Sequence, residues 1–256
     1  MLARSVQLLN RDTILRIMEP FILILVLSVV QSLFGVGLLL FGTPLMLLMG
    51  HEYTEALLYL LPASAAISWS QVKDTYQIKL GGAYRKYFFM ISMPLLFVGM
   101  ILAGHYDLKW EIKFFITIML TVAFIVRTSS KFREKLQNLM RKNLPFALGF
   151  MGIIHGLSNM GGSILTPLVS SLYKDKNKVL AGVSFDYAFM ASFQLLVLAL
   201  YKGENFEAKY LIGSAISLSM RYLIGKRIFK FTTEVNYQRL LNGFILANAV
   251  LLAVNL

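Results

Sequence analysis

The chain has 256 residues, of which 57% are hydrophobic and 15% are charged, a composition that excludes an ordinary water-soluble domain and indicates a membrane protein. Its formal net charge is +12, but the Lys and Arg residues lie between long apolar runs, which is typical of membrane topology and not of nucleic-acid binding. The absence of cysteine excludes disulfide frameworks, thiolate catalysis and Cys-ligated metals.

The first element in chain order is an amphipathic stretch at residues 1–19, where apolar residues recur at helical spacing opposite Arg4, Arg11 and Arg16. This pattern predicts a helix lying in the membrane interface, and a frayed basic tail is the alternative. The apolar run that follows is too long for the core of a signal peptide and has no small-x-small cleavage site after it. We therefore expect this segment to be part of the mature protein.

Eight apolar segments follow, separated by short polar stretches. They lie at approximately 20–49, 54–72, 87–104, 110–126, 145–172, 179–201, 207–224 and 238–255. A spanning helix needs about 20 residues, and the first and fifth segments are much longer. Both are interrupted by glycine and proline, at Gly35-Val36-Gly37 and Gly42-Thr43-Pro44 in the first and at 156–162 and Thr166-Pro167 in the fifth. We therefore expect these two segments to be broken or re-entrant.

The two halves of the chain match each other when one is shifted by 123 positions. The shift places Pro44 on Pro167, Thr43 on Thr166 and Gln71 on Gln194. The sequence thus predicts an all-α integral membrane protein with two four-segment repeats, residues 20–126 and 145–256. Residues 127–144 form a basic cytoplasmic linker between the repeats. Glycine- and proline-interrupted segments at matching places of two repeats indicate a transporter site built from half-helices, although close helix packing is an alternative use of the glycines.

Counts of Lys and Arg on the two sides leave three topologies open. If all eight segments span, the counts are 15 against 9. If segments one and five are both re-entrant, the counts are 17 against 7 and the repeats are inverted. If only segment five is re-entrant, the counts are 20 against 4, but the internal symmetry is lost. All three topologies place residues 73–87 and 127–142 on the cytoplasmic side.

Each break predicts a polar cavity, because lipid cannot satisfy the free backbone groups of an interrupted helix. Where a half-helix restarts, its unpaired N–H groups and positive dipole end make an anion site without a lysine. The expected substrate-binding residues lie at or near the two breaks: Gly35, Gly37, Thr43, His155, Ser158, Asn159, Gly161, Gly162, Ser163 and Thr166, together with the matched pair Gln71 and Gln194. For each polar side chain, a helix-packing hydrogen bond is the alternative.

The segment Gly156-Leu157-Ser158-Asn159-Met160-Gly161-Gly162-Ser163-Ile164-Leu165-Thr166-Pro167 is similar to the glycine-rich signature of the sulfite exporter TauE/SafE family. The likeness in arrangement covers almost the whole chain, since members of this family are membrane transporters with two repeats of about four helices. The first repeat departs from the signature, because it lacks the paired glycines before Pro44. The resemblance implies transport of sulfite, a sulfonate, sulfoacetate or another small sulfur-containing or organic anion.

Two ionisable residues fall inside apolar segments, where each costs about 2.5–3.5 kcal/mol at a helix centre. Asp186 is a candidate group for coupling transport to a proton or cation, and an interfacial carboxylate is the alternative. Arg221 lies near Lys226 and is expected to snorkel to the interface. The three histidines show no ligand spacing, so no metal site and no cofactor are predicted.

The sequence therefore predicts a multi-pass transporter of the cell (inner) membrane, working by alternating access, whose partners are a small anion and the lipid bilayer. A homodimer is compatible with its wide apolar surface. No P-loop motif is present, so a gradient or a separate subunit must supply the energy. The chain is not expected to be an enzyme. The two alternatives are an intramembrane hydrolase with Ser158 as nucleophile and a non-transporting scaffold subunit.

Overall fold

The structure is a computed structural model that describes residues 2–105, 129–173, 175–202, 206–237, 239, 240 and 243. Throughout these ranges the chain forms helices joined by short turns, and no strand occurs in them. The apolar segment expected at 110–126 lies outside the described residues, and so does most of the one at 238–255. The predicted all-helical class is therefore confirmed for the described part of the chain.

The first half begins with α1 (Leu2–Phe34), a helix that continues through Pro20 without interruption. After the first break come α2 (Leu38–Leu48) and α3 (Tyr53–Asp74). A continuous helical stretch follows, made of α4 (Gly82–Tyr87), a π-helical turn (Phe88–Ser92) and α5 (Met93–His105).

The second half contains a similar succession of elements. The amphipathic α6 (Ser130–Lys142) occupies the predicted basic linker and begins at Ser129, whose side chain accepts a hydrogen bond from the Phe132 N–H. The remaining elements are α7 (Leu144–Ser158), α8 (Gly162–Leu172), α9 (Lys176–Lys202), α10 (Lys209–Met220), a second π-helical turn (Arg221–Gly225) and α11 (Lys226–Phe231).

Three stretches of the described chain are long and apolar enough to cross a membrane: Arg16–Phe34, Gly82–Ala103 and Lys176–Tyr201. Shorter apolar helices accompany them, namely α2, α7 and α8. These short helices are the ones that flank the two breaks. The chain is therefore a multi-pass membrane protein in which some apolar helices are too short to span on their own.

The bundle is built around α3 and α9, which pack against each other, while α10 packs on α3 and α5 packs on α7. The α5–α7 contact is close because glycines face it. A Cβ atom added to Gly152 would overlap the Ser92 carbonyl, and one added to Gly156 would overlap the Leu96 carbonyl. Small residues at four-residue spacing allow this backbone contact in the absence of a hydrophobic driving force between helices.

Candidate functional site

Both predicted breaks are places where the chain leaves the helical conformation. The first lies between α1 and α2, where Gly35 has a φ of 73°. The second lies between α7 and α8, where Asn159 has a φ of 62°. Glycine reaches this left-handed region without strain, and asparagine is one of the few other residues that tolerate it. The local sequence therefore explains why α1 and α7 end where they do.

The two breaks lie against each other in the interior of the bundle. The Asn159 amide donates to the Thr43 hydroxyl of α2 (3.2 Å), and its carbonyl oxygen accepts from the Gln194 amide of α9 (2.9 Å). A Cβ atom added to Gly162 would lie 2.9 Å from Val36. Thr43 therefore meets Asn159 and Val36 meets Gly162, so that the two breaks are in direct contact.

The N-terminus of α2, after the first break, is capped by the side chain of Gln31. The side-chain oxygen of Gln31 accepts a hydrogen bond from the backbone N–H of Leu38 (3.0 Å), the first residue of α2. The Gln31 amide donates to the hydroxyls of Ser64 (2.9 Å) and Ser68 (3.1 Å) on α3. Gln31 therefore satisfies a backbone donor that a helix start leaves unpaired, and at the same time it ties α2 to α3.

Gln71 also lies near the first break, where its side chain contacts the backbone of the last turn of α1. The side-chain amide of Gln71 donates to the backbone carbonyls of Gln31 (2.9 Å) and Ser32 (3.2 Å). Its side-chain oxygen accepts a hydrogen bond from the Ser184 hydroxyl (3.1 Å). These bonds join the end of α1 to α3 and α9. Gln71 and Gln194 thus occupy matching places in the two halves, each beside its own break.

Three predicted hydroxyls at the second break are engaged with the backbone. Those of Ser158 (2.9 Å), Ser163 (2.6 Å) and Thr166 (3.0 Å) each donate to a carbonyl three or four residues earlier. Ser158 therefore does not bond His155, and a serine nucleophile would lack the adjacent general base that such chemistry requires. This local hydrogen bonding is what hydroxyl side chains ordinarily do within apolar helices.

Other polar groups at the second break lie deep inside and lack partners within the described residues. They are both ring nitrogens of His155, the Tyr187 hydroxyl and the Gln194 carbonyl oxygen. A Cβ atom added to Gly161 would lie 2.9 Å from the His155 Nδ1, and one added to Gly162 would overlap the Tyr187 hydroxyl. The His155 and Tyr187 rings meet edge to face at 5.4 Å. Several buried polar groups therefore lie together near the start of α8, where the Tyr187 hydroxyl faces Gly162 and the His155 ring faces Gln194.

We call this group, made of Thr43, His155, Asn159, Gly162, Tyr187 and Gln194, the break site. Tyr187 belongs to the 26-residue candidate span Lys176–Tyr201. At about 1.5 Å per residue, it lies roughly 16 Å from the beginning of that helix.

Asp186, the predicted coupling residue, lies next to Tyr187 on α9 and is fully buried. Its Oδ2 accepts a hydrogen bond from the Tyr84 hydroxyl of α4, and its Oδ1 has no partner in the part of the chain that the structure describes. The carboxyl group is thus buried inside the protein, between α4 and α9. Tyr84, its partner, was not identifiable from the sequence, because a tyrosine in an apolar segment carries no distinguishing signal.

Arg221 is buried at a helix end and does not snorkel to the surface as expected. It lies in the second π-helical turn, is 3% exposed, and donates to the Ser70 hydroxyl (2.9 Å) and the Asp74 carboxylate (2.5 Å) of α3. Lys226 also contacts Asp74, at 3.0 Å. The carboxylate compensates the buried charge, which explains why Arg221 can remain inside.

Comparison with known protein families identifies the chain's relatives. The model of the family described as Sulfite exporter TauE/SafE matches residues 21–252, nearly the whole chain. The matched range contains both breaks and every residue of the break site. Neither the curated proteins nor the solved structures gave a significant match.

Proposed function

The chain belongs to the sulfite exporter TauE/SafE family, whose members are membrane transporters of sulfite and related anions rather than enzymes, and on that premise we propose that the break site binds the transported anion. The substrate is sulfite or an organosulfonate. The observation that carries the proposal is the pair of hydrogen bonds made by the Asn159 side chain. One joins it to Thr43 in the first half of the chain and the other to Gln194 in the second. A group held by both halves responds to any movement of one against the other.

The proposed architecture is a pair of inverted repeats in which both broken segments are re-entrant hairpins. In the first hairpin, Glu19 near the start of the apolar run lies 3.9 Å from His51 in the loop after α2. The chain therefore returns to the end from which it entered. The contacts of Thr43 with Asn159 and of Val36 with Gly162 fit such an inversion, which is the usual geometry of transporter sites built from discontinuous helices.

Loop contacts support the same architecture at the other end of the bundle. Asp74, at the end of α3, contacts Lys226 (3.0 Å) at the start of α11. The Gly81 N–H donates to the hydroxyl of Tyr173 (2.9 Å), which follows α8. A topology in which all eight segments span would place the loop after α3 on the opposite side from the other two loops. The positive-inside rule makes this shared end cytoplasmic, in a cell membrane.

The proposed mechanism is alternating access, in which one repeat rocks against the other around a fixed midplane site. Breaking and remaking the Asn159–Thr43 bond would accompany the movement, because these two residues belong to different halves. Asp186 is the proposed coupling group. Its unpartnered oxygen is available to a proton or cation, and it adjoins Tyr187 of the break site in the sequence. Buried carboxylates in transporters commonly serve as proton relays.

The test is flux of labelled sulfite and methanesulfonate into proteoliposomes, for the wild type and for Asn159→Gly. Glycine tolerates the φ of 62° at this position, so the substitution removes the amide contacts without straining the backbone. We expect flux to fall by at least about tenfold, because about 1.4 kcal/mol of lost binding has that effect. Running each measurement with and without a proton gradient tests the coupling.

Asn143→Gly is the matched control, since Asn143 is exposed between α6 and α7, at the opposite end of α7 from Asn159. We expect this variant to retain wild-type flux. Loss of flux in the control, or full flux in Asn159→Gly with folded protein in both, would contradict the proposed site. Flux of no sulfur anion in the wild type would contradict the proposed substrate.

A further inference from the structure

We propose that α6 carries a binding site for the headgroup of an anionic phospholipid at the membrane surface. The site is formed by Lys131, Lys135 and Lys142, which together we call the lysine face. It lies outside the break site and does not depend on the proposed function. The proposal follows from the positions of the lysines on the helix, from the contacts of the opposite side of α6, and from the exposed apolar side chains beside the lysines.

The three lysines lie on one side of α6 and are exposed. Each residue of an α-helix advances by about 100°, so Lys131, Lys135 and Lys142 point within about 40° of one another. They line one open groove of about 520 Å³ together with Glu134, Asn138 and Leu139. The sequence around them adds positive charge, because residues 127–142 contain six Lys and Arg residues and one acidic residue.

The opposite side of α6 is fixed against the second broken segment. Met140 is 7% exposed, and Leu136 packs against the hydrophobic core. The Gln137 side-chain amide donates to the Pro167 carbonyl of α8 (3.4 Å), and α6 packs on both α7 and α8. Because these side chains project from the other side of the helix, their packing turns the lysine face away from the bundle.

Exposed apolar side chains accompany the lysine face. Phe132 is 45% exposed and Leu139 is 57% exposed, and helical spacing places both along one edge of the lysine face. The apolar helix α7 begins at Leu144, two residues after the end of α6, and its Phe146 is 75% exposed. The lysine face therefore adjoins the point where the chain enters the membrane. Lysines beside exposed apolar side chains are typical of a helix in the membrane interface.

These features favour a phospholipid over a soluble anion. Lysine binds a phosphate group as a point charge, and its methylene stem packs along apolar surface. The exposed Leu139 gives the apolar part of a lipid a contact that free phosphate cannot use. A cluster of basic residues beside a membrane attracts anionic lipids, and each Lys or Arg strengthens the attraction about fivefold. Phosphatidylcholine carries no net charge, so the lysine face should discriminate against it.

The experiment measures the binding of added phosphatidylglycerol to the detergent-purified protein by native mass spectrometry, against phosphatidylcholine with the same acyl chains. We expect phosphatidylglycerol to bind at least about tenfold more tightly. Replacing the three lysines of the lysine face by glutamine should remove this difference, because three contributions of about fivefold are lost. The matched control is the triple variant Lys79→Gln, Lys178→Gln and Lys230→Gln, which removes the same charge from exposed positions outside α6. It should keep the difference.

Two further measurements make the charge argument more specific. Glu134→Gln removes the acidic side chain that lines the groove and should strengthen phosphatidylglycerol binding severalfold. Salt at about 1 M shortens the Debye length to about 3 Å and should weaken that binding to the level of phosphatidylcholine.

Equal binding of the two lipids by the wild type, or an unchanged difference in the lysine-face variant, would overturn the proposal. Displacement of phosphatidylglycerol by millimolar inorganic phosphate would identify a soluble anion as the ligand and would also overturn it. If the lysine-face variant does not fold, the wild-type comparison and the exposed single substitution Glu134→Gln still decide the matter.

Discussion

At the scale of single residues, Gly162 is the position where the smallest chemical change should have a large effect. It begins α8, and any side chain there would overlap the Tyr187 hydroxyl and crowd Val36 of the first break. The second break therefore depends on glycine for space and not for backbone freedom.

We predict that Gly162→Ala lowers methanesulfonate flux by at least about tenfold, because the added methyl group displaces Tyr187 from the helix start by a steric clash costing about 1–3 kcal/mol. Gly82→Ala is the control, since nothing lies within 4 Å of a Cβ atom there. Flux measured beside the thermal unfolding midpoint separates lost function from lost fold. Unchanged flux in Gly162→Ala would show that the space beside Tyr187 is not used.

Part of the break site is predictable from the sequence alone. Asn159, Thr43 and Gln194 were predictable because glycine, proline and the internal shift single out the breaks and their followers. Tyr187 was not, because its approach to Gly162 depends on how α9 packs against α8. The role of Gln31 was also hidden, since only the folded turn brings its side chain back to the Leu38 N–H.

At the scale of elements, α5 packs against α7, the helix that ends at the second break. The glycines of this contact are the ones that the sequence also allowed as ordinary packing residues, and the structure shows that packing is their use. A Cβ atom on Gly99 of α5 would lie 2.5 Å from the Ile153 carbonyl of α7, so both helices contribute glycine to the contact.

We predict that Gly152→Ala destabilises the protein by about 1–3 kcal/mol, because its methyl group would overlap the Ser92 carbonyl and force α5 away from α7. The thermal unfolding midpoint in detergent checks this, with Gly82→Ala again as the unhindered substitution. A midpoint equal to the wild type in Gly152→Ala would mean that the helices are not in backbone contact.

The second π-helical turn shows why the behaviour of Arg221 was not predictable from spacing. An arginine near a helix end ordinarily reaches the interface, but here the turn carries its guanidinium to Asp74 and Ser70. The prediction failed because α3 supplies a carboxylate that is 147 positions away in the sequence. Residues so distant give no local signal.

We predict that Asp74→Asn lowers the unfolding midpoint more than Glu207→Gln does. The first change leaves the Arg221 charge, which is 3% exposed, without its partner, although Asp74 is 27% exposed, so the loss should be smaller than the loss of about 3–5 kcal/mol found for fully buried pairs. The second breaks the exposed Glu207–Lys209 pair (2.7 Å), and exposed pairs contribute little. Equal midpoints for the two variants would contradict a structural role for the Arg221 ion pair.

At the scale of the whole molecule, the all-helical class followed directly from composition and segment lengths. The choice among the three topologies did not, since charge counts alone separate them weakly. Contacts between loops distant in sequence are what favour two inverted hairpins. Because the chain has no cysteine, single-cysteine variants give an unambiguous measure of which loop faces which side.

We predict that Lys79→Cys, Lys135→Cys and Lys178→Cys react with a membrane-impermeant thiol reagent from the cytoplasmic side, and that Glu207→Cys reacts from the other side. This follows from the hairpin topology, in which the loops after α3 and α8 share a side. Reaction of Lys178→Cys from the side opposite Lys79→Cys would instead support a chain in which all segments span.

The most direct test of the central claim is a high-resolution structure of the wild-type protein in lipid nanodiscs, determined with and without methanesulfonate. We predict added density at the start of α8, within hydrogen-bonding distance of the Gly162 N–H and the Tyr187 hydroxyl. Density only beside Lys226 and Arg221, or no difference at the break site at a concentration that saturates uptake, would contradict it.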